Sequence, residues 1–175
     1  MKRSVISNGV VRLVGCWLAG MAVVLTSLAQ DRPGTRNASN EVRVEYLSSP
    51  EQVEVMRSGA TVWDPAHTNR ALYPNDRIRT KSQGRATLRL SDQSYFRLNP
   101  LTELIIQPPE PKRRSVFQLL LGRLYFFHRD TPSDLRIDTP SAAGAVRGTE
   151  FVIEVDENSR TTLTLFDGEV ELSNA

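Results

Sequence analysis

Few residues in this chain of 175 could carry catalysis or bind a metal. It contains one cysteine, Cys16, and two histidines, His67 and His128. A zinc centre built from several cysteines or histidines is therefore excluded, although a carboxylate metal site is not. The sequence has no Gly-x-Ser-x-Gly motif for a serine nucleophile, and neither histidine lies in a catalytic motif.

Pairs of acidic residues are the remaining candidates for acid–base chemistry. Two such pairs are Asp130 with Asp134, and Asp138 with Glu150. They leave glycoside hydrolysis open, because that reaction needs two carboxyl groups at a set separation. Most of the 20 acidic residues in a chain of this size are nevertheless expected at a solvated surface. We therefore predict a protein that is not an enzyme and has no cofactor.

The stretch Gly144–Thr149 is only superficially similar to a phosphate-binding loop. It lacks the lysine and the GxxxxGK[ST] spacing of that loop. We expect Gly148 and Thr149 to serve a tight entry into a strand. Arg147 fits a partly buried arginine that pairs with Glu150 or another carboxylate.

The charge balance excludes a strongly basic nucleic-acid-binding domain. Three of the 22 basic residues lie within residues 1–29, which contain no acidic residue, so the remainder has 19 basic and 20 acidic residues. The run Lys112–Arg114 follows three prolines and is typical of a solvated loop. Contact with anionic lipid or wall polymer is the alternative for this run.

Residues 1–29 are predicted to export the chain. Lys2 and Arg3 precede an apolar run over residues 13–29, which ends in Ser27-Leu28-Ala29, a pattern typical of cleavage by signal peptidase. An uncleaved membrane anchor over the same run and a lipoprotein signal at Cys16 remain alternatives. We expect a periplasmic or other extracytoplasmic location, with membrane contact only if the segment is retained.

From Glu41 onward, apolar and polar residues alternate between closely spaced turn residues. Residues 30–40 are polar and aperiodic, which favours a linker. Alternation with period two places one face of each segment on a core. The sequence therefore predicts a single all-β domain over residues 41–175, a β-roll or β-sandwich of about a dozen short strands, preceded by the helical leader. Phe151, Ile153 and Val155 should share an inward face.

Glycines punctuate three similar segments. Gly59, Gly122 and Gly168 each lie between two apolar stretches, and we predict a hairpin turn at each because glycine supplies a positive φ. The run Tyr125–Phe127 is apolar on both faces, which favours a strand buried on both sides. An exposed edge strand that pairs with a partner is the alternative for this run.

Eight motifs follow one another in a distinctive order: Leu72–Thr80, Gly84–Leu90, Ser91–Ser94, Phe96–Leu98, Leu121–Tyr125, Ile137–Pro140, Val146–Phe151 and Leu165–Val170. This succession resembles the FecR domain, the extracytoplasmic β-rich module of FecR-type iron-dicitrate transmembrane sensors, which also occurs in other exported bacterial proteins. The resemblance covers roughly residues 50–174 and is most specific at Arg147–Phe151. Asn75 and Gln93 stand where the family usually has glycine.

The residues that carry the family pattern are expected to serve the fold. They are Asp76, Arg79, Thr80, Gly122, Arg147, Gly148, Thr149, Phe151 and Gly168. FecR-type sigma regulators also carry an N-terminal cytoplasmic segment that binds a sigma factor. Only about a dozen residues precede the apolar run here, so we do not expect a sigma-factor contact.

The resemblance implies a module that acts through contacts. We predict a non-enzymatic extracytoplasmic domain for interaction, sensing or structure in the cell envelope. Its partner would be another envelope protein or a continuation of its own chain. The alternative is a carbohydrate- or peptidoglycan-binding domain, with Trp63, Tyr73 and Tyr95 as the stacking residues.

Overall fold

Twelve β-strands are present in the computed structural model, which describes residues 41–109, 115–128 and 133–174. They are β1 (Val42–Leu47), β2 (Val53–Met56), β3 (Asp64–Pro65), β4 (Ala71–Leu72), β5 (Arg77–Thr80), β6 (Ala86–Arg89), β7 (Tyr95–Leu98), β8 (Glu103–Gln107), β9 (Ser115–Phe127), β10 (Ser133–Asp138), β11 (Ala142–Val155) and β12 (Thr161–Asn174). One short 3-10 turn, Pro50–Gln52, precedes β2. The predicted all-β fold is confirmed. The predicted leader, the linker over 30–40 and the Lys112–Arg114 loop lie outside the described residues.

The alternating pattern of the sequence directs the apolar side chains into one core. In β6, Ala86 and Leu88 are buried, whereas Thr87 and Arg89 between them are partly exposed. The inward face predicted for β11 is confirmed, because Phe151, Ile153 and Val155 are all buried. Burial of apolar surface at about 25 cal/mol per Å² supplies the main stabilising free energy.

Four buried phenylalanines from three strands meet at the centre of the core. The Phe96 ring contacts Phe117 edge-on at 4.6 Å and Phe126 at 5.5 Å between ring centroids. Phe126 in turn stacks on Phe151 at 4.8 Å with an interplanar angle of 23°. These contacts join β7, β9 and β11, strands that are far apart in sequence.

The sheet order places β9 at the centre. The hydrogen-bonded path runs β3-β2-β5-β8-β9-β7-β6-β1-β4, and β10, β11 and β12 attach to it through β9. The first half of β9 lies between β8 and the parallel β10. Its second half lies between β7 and β11. Tyr125–Phe127 is thus paired on both sides, and the alternative of an exposed edge is wrong. Phe126 is buried, whereas Tyr125 and Phe127 are only partly so.

Gly122 and Gly168 do not form hairpin turns, contrary to the prediction. Gly122 lies inside β9 and Gly168 inside β12, with φ of 93° and 120°. A positive φ serves a β-bulge as well as a turn, and the pairing of β8 with β9 shifts register at Leu120, two residues before Gly122. Gly59, with φ 76°, does lie in a turn.

Asn75 and Gln93 adopt the conformation that glycine supplies elsewhere in the family pattern. Their φ angles are 69° and 68°. Both turns therefore keep a left-handed geometry, which asparagine tolerates better than glutamine.

Candidate functional site

Asp76 joins two turns through its carboxylate. Its two oxygens accept hydrogen bonds from the backbone N–H groups of Ser58, at 2.9 Å, and Tyr73, at 3.0 Å. The side chain is buried. Asp76 therefore holds the loop before β3 against the turn that enters β5, and its expected structural role is supported by these contacts.

Thr80 and Gly122 belong to a second structural contact. The Thr80 hydroxyl donates to the Asn99 carbonyl at 2.6 Å and accepts from the Thr102 N–H at 2.9 Å. The Thr102 hydroxyl accepts from the Arg123 N–H at 3.0 Å. A side chain at Gly122 would overlap Thr102. These residues fix the ends of β5, β8 and the centre of β9 against one another.

Arg79 lies in a group of charges around Trp63. Its guanidinium carbon lies 4.1 Å from the Trp63 ring centroid, within the range of a cation–π interaction. The same guanidinium pairs with Glu54 at 2.7 Å, and Lys81 pairs with Glu54 at 2.7 Å. No local sequence pattern indicates this contact, since Trp63 lies in a loop before β3 and Arg79 on β5.

These cations lower the pKa of Glu54. The hydrogen bond from Lys81 is the largest cause, burial opposes it, and the hydrogen bond from Arg79 adds to the lowering. A carboxylate that is held ionised in this way favours a stable ion-pair group. The charges of this surface are therefore largely satisfied by one another.

The three aromatic residues of the carbohydrate-binding alternative do not form a shared platform. Arg79 covers one face of Trp63. Tyr73 follows β4, whereas Tyr95 begins β7 opposite Arg89 and Phe127. Among the described ring contacts, none joins two of these three residues.

The remaining pattern residues lie on the long hairpin of β11 and β12. Gly148 pairs with Gly168, and Phe151 is buried opposite Leu165. Register shifts flank Glu150, so Thr149 occupies an extra position in β11. Thr149 is thus inside a bulged strand and does not begin one, which corrects the predicted strand entry.

Arg147 is exposed on β11, where partial burial was expected. It lies opposite Glu169 of β12 in the register of the hairpin. The carboxylate of Glu150 instead accepts a hydrogen bond from the Tyr125 hydroxyl at 2.6 Å. Burial and this hydrogen bond raise the pKa of Tyr125.

The outer edge of β12 is the longest unpaired strand edge in the described part of the chain. This strand of 14 residues pairs only with β11. The other strands with one neighbour, β3 and β4, have two residues each, and β3 contains Pro65, which has no N–H group. Short edge strands and proline are common protections against unwanted pairing.

Exposed apolar side chains lie near the middle of this edge. Phe166 is 60% exposed and Leu165 is 38% exposed. Phe166 is the extra residue of β12, between the pairs Leu165–Phe151 and Asp167–Glu150. Backbone groups of alternate residues along such an edge point away from the sheet and can pair with another strand. The edge can therefore bind an extended peptide.

Of the two acidic pairs considered for catalysis, Asp130 with Asp134 involves Asp130, which lies outside the described residues, whereas Asp138 and Glu150 are engaged in other contacts. Asp138 pairs with Arg136 at 2.8 Å, and Glu150 with Tyr125. His128 is buried with its Nε2 3.0 Å from the Asp92 carbonyl oxygen, while His67 is exposed. Within residues 41–109, 115–128 and 133–174, no group of three or more His, Cys, Asp or Glu could hold a metal ion.

A comparison with protein families matches the FecR protein family model to residues 76–171, more than half of the chain. The match begins at Asp76 and includes Gly168, so it contains all the pattern residues named above. The match begins at residue 76, whereas the resemblance described from the sequence begins at about residue 50. No curated protein and no solved structure matches the chain.

Within the described residues, no helix is long and apolar enough to cross a membrane.

Proposed function

Since the chain belongs to the FecR protein family, we propose that it is a non-enzymatic extracytoplasmic module that acts by contacting another protein of the cell envelope. The contact site is the outer edge of β12, with Phe166 at its centre. Family membership supports an envelope or sensing module in general terms. The length and exposure of the β12 edge support this position for the contact.

The observation that carries this proposal is the difference between β12 and the other edges. The two edges at β3 and β4 are only two residues long, whereas β12 offers 14 residues and an exposed phenylalanine. A long, partly apolar edge would promote aggregation unless a partner covers it. Strand addition to such an edge is a common mode of peptide recognition.

The contacts of the candidate acids support a non-enzymatic role. Asp138 is held by Arg136 and Glu150 by the Tyr125 hydroxyl. A general acid needs its proton directed at a substrate, and these carboxylates are directed at neighbouring side chains.

The predicted signal in residues 1–29 supports the extracytoplasmic location. A fusion of residues 1–35 to a reporter that is active only outside the cytoplasm tests this part of the proposal. Activity is expected, and a silent but well-expressed fusion would contradict export.

Site-specific photo-crosslinking in intact cells tests the contact. A photoreactive phenylalanine derivative replaces Phe166 in one variant and Tyr46 in a control. Tyr46 is a matched position because it is aromatic and 57% exposed, and it pairs with Thr87 of β6. On the other side of β1, β4 pairs only with Val42 and Arg43, so the open edge beside Tyr46 is short, unlike that of β12.

We expect a discrete crosslinked protein from position 166 and none from position 46. Equal yields at the two positions, or no protein adduct at position 166, would contradict the proposal. Crosslinking to wall glycan in place of protein would favour the carbohydrate-binding alternative.

A further inference from the structure

The second half of β12 is acidic. The strand contains three carboxylates, Asp167, Glu169 and Glu171, and no lysine or arginine. All three residues are exposed and follow Phe166. On β11, Arg147 lies opposite Glu169 but Ala145 lies opposite Glu171. Glu169 and Glu171 against the single cation Arg147 therefore leave an excess of negative charge along this half of the hairpin.

The extra residue Phe166 divides the edge of β12 into two segments. Leu165 pairs with Phe151 and Asp167 pairs with Glu150, so the regular spacing is interrupted between them. A regular partner strand loses its register where one extra residue is inserted. It would therefore pair with one segment at a time, either Thr161–Leu165 or Asp167–Asn174.

A second copy of the chain is a poor occupant of the acidic segment. In antiparallel self-pairing, registers that keep equivalent faces together place Glu169 opposite Glu169 or Glu171, or Glu171 opposite itself. Registers shifted by one residue place a carboxylate opposite Val170. Like charges directly opposite each other destabilise a strand pair.

Building on the proposed function, we propose that Asp167–Asn174 binds an extended segment of the partner protein in which lysine or arginine alternates with apolar residues. The cationic side chains would lie beside Glu169 and Glu171 on the exposed face. The apolar side chains would lie beside Val170, which is partly buried and packs against the core.

A hollow of about 330 Å³ beside this segment favours the same chemistry. Its charged lining residues are Arg147, Glu169 and Glu171, two carboxylates against one guanidinium, and the rest of its lining is apolar: Leu135, Ala145, Val146 and Val170. The rim is therefore net negative and offers room for the stem of a lysine or arginine. In strand addition, backbone hydrogen bonds supply affinity and alternate side chains supply specificity.

Peptide binding to the full chain tests the inference. The probes are three fluorescein-labelled octapeptides: alternating Lys and Val, the same composition with the lysines in one block, and alternating Glu and Val. Fluorescence anisotropy should show binding of the alternating Lys–Val peptide, about tenfold weaker binding of the blocked peptide, and none of the acidic peptide. Added salt should weaken binding, because the charges are exposed.

Charge reversal on β12 assigns the binding to this segment. We expect Glu169→Lys with Glu171→Lys to weaken binding about five- to tenfold. The control pair, Glu51→Lys with Glu157→Lys, makes the same change in net charge at two exposed positions outside β12 and should leave the affinity unchanged. N-methylation of alternate peptide backbone nitrogens should also abolish binding, and this probe leaves the protein intact.

The inference is overturned if the acidic peptide binds as well as the Lys–Val peptide, or if the control pair weakens binding equally. A dimer in sedimentation that is lost on the β12 charge reversal would also overturn it, in favour of a second copy. These outcomes can be distinguished from a failure of the proposed function. The crosslinking at Phe166 that tests the proposed function does not depend on the partner's charge.

Discussion

Gly122 in β9 lies so close to Thr102, just before β8, that a Cβ atom on Gly122 would overlap the Thr102 backbone. The same Cβ would lie 2.5 Å from the Leu101 carbonyl oxygen. The backbone of Gly122 also has φ of 93°. Space and conformation thus both require glycine at the point where β9 passes from β8 and β10 to β7 and β11.

Gly122→Ala is therefore expected to lower the free energy of unfolding by about 3 kcal/mol or more. The matched control is Gly59→Ala, at φ 76° with no atom within 4 Å of the added Cβ. It should cost only about 1 kcal/mol, from the backbone conformation alone. Urea unfolding measures both. Equal losses in the two variants would show that β9 does not approach Thr102 closely.

Phe151→Ala should lower the free energy of unfolding by about 3–5 kcal/mol, because it opens a cavity beside Phe126 in the core. Phe166→Ala on the same hairpin should change it by less than about 0.5 kcal/mol, since that side chain is 60% exposed. Thermal or urea unfolding of the two variants gives the comparison. A severe loss in Phe166→Ala would mean that its ring is covered within the chain.

The strand faces could be predicted from the sequence because burial alternates with period two. Val42 with Val44, and Phe151 with Ile153, follow this rule. The roles of Gly122 and Gly168 could not be predicted in this way, because a glycine with a positive φ can serve either a turn or a bulge. Only long-range pairing distinguishes them.

The contacts around the candidate sites could not be predicted from local sequence patterns either. Arg79 meets Trp63 only because β5 packs beside the loop before β3. The exposed edge of β12 follows from the sheet order, since every other long strand has at least two neighbours among the described strands. Neither fact has a periodic signature in the sequence.

Glu54 should make the stability of the protein depend on pH in the acidic range. Lys81 and Arg79 lower its pKa in the folded state below the ordinary value of 4.5. Its contribution is therefore complete above pH 4.5 and is lost as pH falls through the folded pKa. Glu54→Gln should be less stable than the parent chain at pH 7, with a difference that shrinks on acidification. A difference that is constant from pH 7 to pH 3 would contradict this assignment.

Trp63 and Arg79 should be energetically coupled. A double-mutant cycle with Trp63→Leu and Arg79→Gln is expected to give a coupling of about 0.5–1 kcal/mol in urea unfolding. The control cycle pairs Trp63→Leu with Arg160→Gln, at an exposed position before β12, and should give none within error. Equal coupling in the two cycles would rule out a specific contact.

A contact at the β12 edge can be measured as the amount of partner protein that is purified with variants of the full chain. Phe166→Asp places a charge at the middle of the β12 edge. Tyr46→Asp places one at a similarly exposed aromatic position on β1, a strand of six residues that pairs with β6. Both variants should unfold at the same urea concentration as the parent chain. We predict that quantitative mass spectrometry finds the partner crosslinked at Phe166 with the parent chain and Tyr46→Asp, and at least about tenfold less with Phe166→Asp. Undiminished recovery of that partner with Phe166→Asp would contradict a contact at this edge.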